Sequence, residues 1–326
     1  MRKVLITGGA GYVGSELATL LAIDSTEVVI YDTFWFSTPD IFKNYQNIQT
    51  IIGDIRDQQS FKSALGGITD VIHLACISND PSFDLLPDLS KEINYNCFEE
   101  LVLNCKQSGV KRFIHASSSS VYGIKPDCLV TEEMSTSPLT LYSKYKGLCE
   151  EILNTHSTEN FTTVNIRPAT VCGVSKRQRL DVIVNILTNH AFHNQKIKIF
   201  GGNQKRPNIH IKDMCRLYSH LLDVPVDKIN GKTFNAGEKN YTVNEIANRI
   251  QSIIPTASIE TIKSNDDRSY HICSNRLMQE LEFSFKYTID DAIKDLINSF
   301  EEKIFIDPLN NSQYFNVKHI NQLEIT

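Results

Sequence analysis

In Lys3-Val-Leu-Ile-Thr-Gly-Gly-Ala-Gly-Tyr-Val-Gly-Ser15 a short apolar run meets glycines at 8, 11 and 14, where a buried strand would turn into a helix. That spacing fits a cradle for a dinucleotide diphosphate. Gly8 permits the tight turn, Gly11 lets the backbone approach the anion, and Gly14 lets helix and strand pack closely. Tyr12 and Val13 open the helix, whose N-terminal N–H groups attract negative charge.

Similar runs recur through the first half of the chain. Strands are predicted at residues 3–7, 28–31, 48–52, 71–74, 113–115 and 163–166, with amphipathic helices at 13–22, 58–64, 93–107 and 142–155 between them. Strand and helix in alternation imply an α/β fold, a doubly wound parallel (Rossmann) sheet with helices on both faces. After Gly173 the pattern loosens to a helix at 182–191, a strand at 197–200, helices at 212–222 and 243–253, and a last helix at 289–300. This half reads as a smaller α/β substrate lobe. The expected division is a cofactor domain at 1–173 and a predominantly substrate-binding lobe at 174–326, with some segments of the second returning to the first. The tail at 304–326 has no periodicity and receives no role.

The chain has 326 residues, 41% hydrophobic and 22% charged, enough for one large α/β unit and a smaller lobe. A net charge of −5 provides no basic field for nucleic acid or an anionic membrane. The 8 cysteines stand singly, without the paired spacing of a zinc site or redox dithiol, so no metal is expected and the thiols read as reduced. The first residues run straight into a strand, and no apolar stretch approaches the roughly 20 residues of a membrane span. A cytoplasmic protein is expected.

The second predicted strand ends in Tyr31-Asp32, roughly 20 positions beyond the glycine turn, where a carboxylate holds the two hydroxyls of an adenosine ribose. Asp32 would repel a 2′-phosphate, and no Arg or Lys follows in Thr33-Phe-Trp-Phe36, so NAD is favoured over NADP. The alternative is a solvated turn aspartate. Asp54, with Ile55 beside it, stands where a side chain can accept from the adenine amino group, or equally cap the helix that follows. Leu74 and Ala75 close the fourth strand with side chains that admit the cofactor.

Tyr142 and Lys146 lie four residues apart on a predicted helix and share one face. A tyrosine is a weak base at its free pKa of about 10. A neighbouring ammonium, together with a positive nicotinamide ring, stabilises the phenolate and suits it to take a proton from a hydroxyl. Without the glycine turn the same pair would read as surface decoration. Upstream, Ser117-Ser-Ser-Ser120 crowds hydroxyls at the carboxyl edge of the sheet, where such folds bind ligands.

Taken together, the Gly8–Gly14 turn, Ser118-Ser-Ser-Val-Tyr-Gly123, Tyr142-x-x-x-Lys146 and Arg167-Pro168 resemble the extended short-chain dehydrogenase/reductase family, in its nucleotide-sugar epimerase and dehydratase branch. The likeness runs from Met1 to about Phe283. It implies that Ser118 bonds the substrate hydroxyl with Ser119 beside it, that Tyr142 is the base, and that Lys146 binds the nicotinamide ribose while tuning Tyr142. It also implies a nucleotide-diphosphate sugar as partner, with Arg206 in Gly201-Gly-Asn-Gln-Lys-Arg206 and Arg268 in Asp267-Arg-Ser-Tyr270 on the phosphates, and Asn185 as a sugar or diphosphate ligand. Paired helices at 93–107 and 142–155 would make a homodimer.

Two departures bear on the reaction. Family 4,6-dehydratases carry Asp and Glu after the active hydroxyl, whereas this chain has Ser119 and Ser120, which disfavours elimination because a hydroxyl does not readily pull a carbon-bound proton. Relatives also carry Asn where this chain has Thr170, which leaves the sugar open. The expected reaction is C4 epimerisation through a 4-keto intermediate. A one-way dehydrogenase or keto-sugar reductase comes next, then a 4,6-dehydratase, and from another class an NAD-sensing binding protein without chemistry.

Overall fold

The computed structural model describes residues 2–125, 128–263 and 271–323. Its centre is a seven-stranded parallel sheet of β1 (Lys3–Thr7), β2 (Glu27–Asp32), β3 (Ile48–Ile52), β4 (Asp70–His73), β5 (Arg112–Ala116), β6 (Thr162–Pro168) and, after three strands of the second lobe, β10 (Lys232–Ala236). The order is β10-β6-β5-β4-β1-β2-β3, so the chain reverses direction between β1 and β4. Ligands of such sheets bind at that reversal, outside the strand carboxyl ends.

The pleat explains why β1 is apolar at every central position. Val4 and Ile6 face one layer, packed with Leu17, Leu21 and Met214, while Leu5 faces the other with Val29, Phe61 and Leu101. The first layer includes the helices Tyr12–Ile23 and Ile211–Asp223, and the second Gln58–Ala64, Phe98–Gln107 and Leu141–His156. Both faces are covered, so the central strands β1 and β4 are buried from Val4 to Thr7 and from Asp70 to His73, whereas the edge strand β3 exposes side chains such as Gln49 and Ile52.

The helix expected at 93–107 is interrupted. A π-type turn spans Glu92–Asn96, and the regular α-helix starts at Phe98. The cause is Asn94, whose carboxamide copies a strand pairing: its Oδ1 accepts the Ile77 N–H at 2.8 Å and its Nδ2 donates to the Ile77 carbonyl at 2.9 Å. The widened turn aims that side chain at the loop after β4.

The second lobe contains β7 (Thr170–Cys172), β8 (Lys196–Phe200), β9 (Lys205–His210), β11 (Lys239–Thr242) and β12 (Ser258–Ile262), arranged as a β11-β9-β7 sheet and a β12-β8 pair. The helices Ile183–Asn194, Val243–Ile253 and Ile289–Glu301 close its core. Between these strands β10 returns to pair with β6 in the large sheet. The aperiodic tail also crosses back: Phe305 and Phe315 pack on Leu180, and Ile320 is buried in the layer of Phe61 and Leu101.

Candidate active site

A cavity of about 610 Å³ opens at the reversal point between the two lobes. The turn after β1 forms its floor. Gly8 has φ +68, and a Cβ there would come within 2.6 Å of the Ala75 N, so glycine both makes the turn and lets it touch the end of β4. A Cβ on Gly14 would stand 2.5 Å from the Gly8 carbonyl, and on Gly11 3.1 Å from the same atom. Val13, Ile55, Leu74 and Ala75 line the cavity with these glycines. Tyr12 lines the cavity too, and its buried hydroxyl donates to the Gly173 carbonyl at 2.7 Å.

Asp32 ends β2 in the cavity wall and accepts the Ala10 N–H at 2.9 Å and the Phe34 N–H at 2.8 Å. Burial raises its carboxyl pKa, while these amides and the nearby Arg177 pull it down. A carboxylate has about four acceptor directions, so two amides leave capacity for a pair of ribose hydroxyls. The cradle therefore fits a dinucleotide. Asp54 also reaches the cavity, but it is paired with Arg56 at 2.7 Å, and Asp57 rather than Asp54 caps the next helix by accepting the Ser60 N–H.

The catalytic candidates converge from two elements. Thr140 and Ser143 form a reciprocal capping box that starts the helix Leu141–His156, which places Tyr142 in its first turn and Lys146 one turn on. Thr140 also donates to Asp80 at 2.7 Å and ties that turn to the loop after β4. Lys146 is 3% exposed and donates from Nζ to the Ala116 carbonyl at 2.7 Å. Beyond β5, Ser118 caps the short turn Ser119–Tyr122, accepting the Ser120 N–H at 3.2 Å, and its Oγ lies 2.8 Å from the Ser120 Oγ. Burial pushes the Tyr142 phenol well above its ordinary pKa, and Cys76 and Asp80 push the same way. Arg179 and a hydrogen bond with Ser118 pull it down.

Ser119 and Arg206 line the cavity as well. Asn185 does not. It is fully buried, its Oδ1 accepts the Gly173 N–H, and its Nδ2 donates to the Tyr12 hydroxyl and to the Gly173 and Arg179 carbonyls, so it ties the two lobes together instead of meeting a ligand. Arg268 lies outside the described residues.

Arg177, Arg179, Asp181 and Asn316 belong to the cavity wall and were not singled out from the sequence. In Arg177-Gln-Arg-Leu-Asp181 the charged positions alternate with Gln178 and the fully buried Leu180, an extended pattern that marks one face. Asn316 had no local signal, because only the tail's return path brings it there.

Residues 4–237 match the NAD dependent epimerase/dehydratase family, and the chain belongs to it. An uncharacterised UDP-glucose epimerase of Bacillus subtilis (strain 168) is 30% identical over 265 residues, spanning 77% of this chain and 82% of that protein. UDP-glucose 4-epimerase of Corynebacterium glutamicum is 25% identical, spanning 88% and 92%. The crystal structure of UDP-glucuronic acid 4-epimerase from Bacillus cereus in complex with UDP-glucuronic acid and NAD superposes with a TM-score of 0.82 at 26% identity, over 92% of this chain and 99% of that one. The protein is thus an NAD-dependent enzyme of the nucleotide-sugar branch of the extended short-chain dehydrogenase/reductases.

Proposed function

We propose that the protein is a C4 epimerase of a nucleotide-diphosphate sugar. The observation that carries this reading is the meeting of Ser118, Tyr142 and Lys146 in one cavity with Ser119 and Ser120 where elimination needs carboxylates. NAD, when bound, supplies a hydride acceptor at the sugar C4 that also returns the hydride. Burial holds the Tyr142 phenol above its ordinary pKa, so its action as a base requires the positive nicotinamide ring together with the Lys146 cation to stabilise the phenolate. Tyr142 then takes the C4 hydroxyl proton while Ser118 donates to that oxygen and holds it in line. Lys146 places its cation one helical turn from Tyr142, with donors beyond the Ala116 bond for a ribose hydroxyl. Arg206 holds the substrate diphosphate at the rim, so that the 4-keto sugar turns within the cavity and its other face is reduced.

Incubation with UDP-, GDP-, CDP- and dTDP-sugars, followed by NMR, tests the reading. A new C4 epimer with unchanged NAD is expected. Net NADH formation or consumption would assign a one-way oxidoreductase, and loss of water a dehydratase. Tyr142→Phe should lower kcat by about 10²–10⁴-fold. Full biological function in that variant would point to a sensor. We also propose a homodimer through the helices Phe98–Gln107 and Leu141–His156, which sedimentation at monomer mass at micromolar concentration would exclude.

A further inference from the structure

The segment from Gly173 to Asp181 crosses above the cleft and is fastened at both ends. At its start Ser175 donates to the Tyr12 carbonyl at 2.7 Å and the Lys176 N–H donates to Glu16 at 2.8 Å, holding it on the helix that follows the glycine turn. At its far end the Leu180 N–H donates to the Tyr314 carbonyl at 2.8 Å, and Asp181 accepts the Asn316 N–H at 2.8 Å. Asn316 Nδ2 donates across the cleft to Ser78, in the loop after β4, at 3.0 Å. A last anchor is His319, 2.7 Å from the Trp35 carbonyl with its ring against Phe36. The tail and this segment therefore roof the groove from the glycine turn to the β4 loop.

Arg177 sits in that roof in an unusual electrostatic state. It is 5% exposed, its guanidinium lies 4.4 Å from the centre of the Phe36 ring, and its Nη2 donates to Asn316 Oδ1 at 2.6 Å. Its buried Nε has no partner, and among the described residues no carboxylate lies within ion-pair distance. Burial pulls its pKa down to about 9, with the Arg179 cation acting in the same direction. Asp181 and Asp32 oppose that fall from beyond ion-pair distance, and a buried cation with no carboxylate in direct contact is costly. Within the same cavity lies the N-terminal end of the helix Tyr12–Ile23, built for a diphosphate.

We propose that Arg177 clamps the diphosphate of the bound dinucleotide and that Asn316, from the C-terminal tail, is the positioning residue that holds the clamp in place. The tail then governs how long NAD stays. That suits an enzyme whose nicotinamide is restored in every cycle, although the clamp rests on NAD binding and not on the C4 reading. The guanidinium fork matches paired phosphate oxygens, and its unpaired Nε supplies the donor.

Calorimetric titration of the NAD-stripped protein with NAD, ADP and adenosine tests the proposal. Arg177→Gln should weaken NAD and ADP by about 10- to 100-fold and leave adenosine within about twofold. Asn316→Ala should show the same ADP-against-adenosine split at about 5- to 10-fold, and should add nothing to Arg177→Gln in the double variant. Both variants should also lose NAD during purification. Unchanged NAD and ADP affinity, adenosine weakened as much as ADP, independent losses in the double variant, or tighter binding of NADP than NAD would each overturn it. Should Arg177→Gln fail to fold, Asn316→Ala alone still reads the split. Failure of the C4 reading would show in the sugar products and leave these binding ratios intact.

Discussion

Arg167 and Arg177 are equally hidden, 7% and 5% exposed, but their surroundings are opposites. Arg167 is fully engaged: Nε and Nη2 fork onto Glu150 at 2.9 and 2.6 Å, and Nη1 donates to the Tyr122 hydroxyl at 2.6 Å. Ser117 donates to the same Glu150, and Tyr122 donates onward to Asn235 at 2.8 Å, so one network joins β5, β6, β10 and the helix Leu141–His156. Arg177 has one carboxamide and an aromatic face. Arg167 holds its counter-charge in direct contact and belongs to the frame, whereas Arg177 feels Asp181 and Asp32 only from beyond ion-pair distance. His73 and His115 show a third solution. They lie beneath Lys146, with His115 making no hydrogen bond through either ring nitrogen, and burial keeps both neutral.

Removing one partner of the Arg167 pair should produce the largest effect. Arg167→Leu leaves Glu150 buried and uncompensated, and the expected loss is about 3–5 kcal/mol in urea unfolding of the NAD-stripped protein. The double variant Arg167→Leu/Glu150→Leu should recover much of that loss, because no lone charge remains. A single variant as stable as wild type would remove Arg167 from the frame and break the contrast with Arg177.

How much of this was legible in the sequence follows from the range of the interactions. The glycine turn, Asp32 and the Tyr142/Lys146 pair are local, so the spacing of residues on a strand or helix carries them directly. Arg167-Pro168 marked the family without revealing its task, since Glu150, Tyr122 and Asn235 come from three other elements. Asn185 shows a related limit: a polar residue on an apolar helix signals a partner, but the spacing does not say whether that partner is a ligand or, as the structure has it, the Gly173 backbone. Asn316 has no local signal, because its position depends on aromatic packing of Phe305 and Phe315 against Leu180, which is remote in sequence.

The histidines sharpen the comparison through pH. The His73 pKa falls from 6.5 to about 3, through burial first and the Lys146 cation second, and His115 is driven well below 6.5 by the same causes and by His73. Their folded values lie below their unfolded ones, so the unfolded chain binds the extra protons. Stability is complete above about pH 6.5 and falls on acidification by about 1.4 kcal/mol per pH unit for each ring until its folded pKa is reached. His115→Leu should reduce that slope by one such increment between about pH 6 and 4, read as the difference from wild type in urea unfolding. An unchanged slope would show that His115 already takes up its proton inside the fold.

The smallest expected effect separates the two arginines most cleanly. Arg177→Gln removes a cation that burial disfavours and that holds no ion pair, and glutamine keeps an amide for Asn316. Unfolding of the NAD-stripped variant should therefore shift by less than about 1 kcal/mol in either direction, against the several lost at Arg167. The measurement belongs on stripped protein, because ligand bound to the native state adds stability in proportion to its affinity and would make any binding defect look structural. With saturating NAD present the difference between wild type and variant should widen by the weakened binding alone. A loss in the stripped protein as large as that of Arg167→Leu would mean that Arg177 braces the roof of the cleft in its own right, and the distinction between a paired arginine in the frame and an unpaired one facing a ligand would fail.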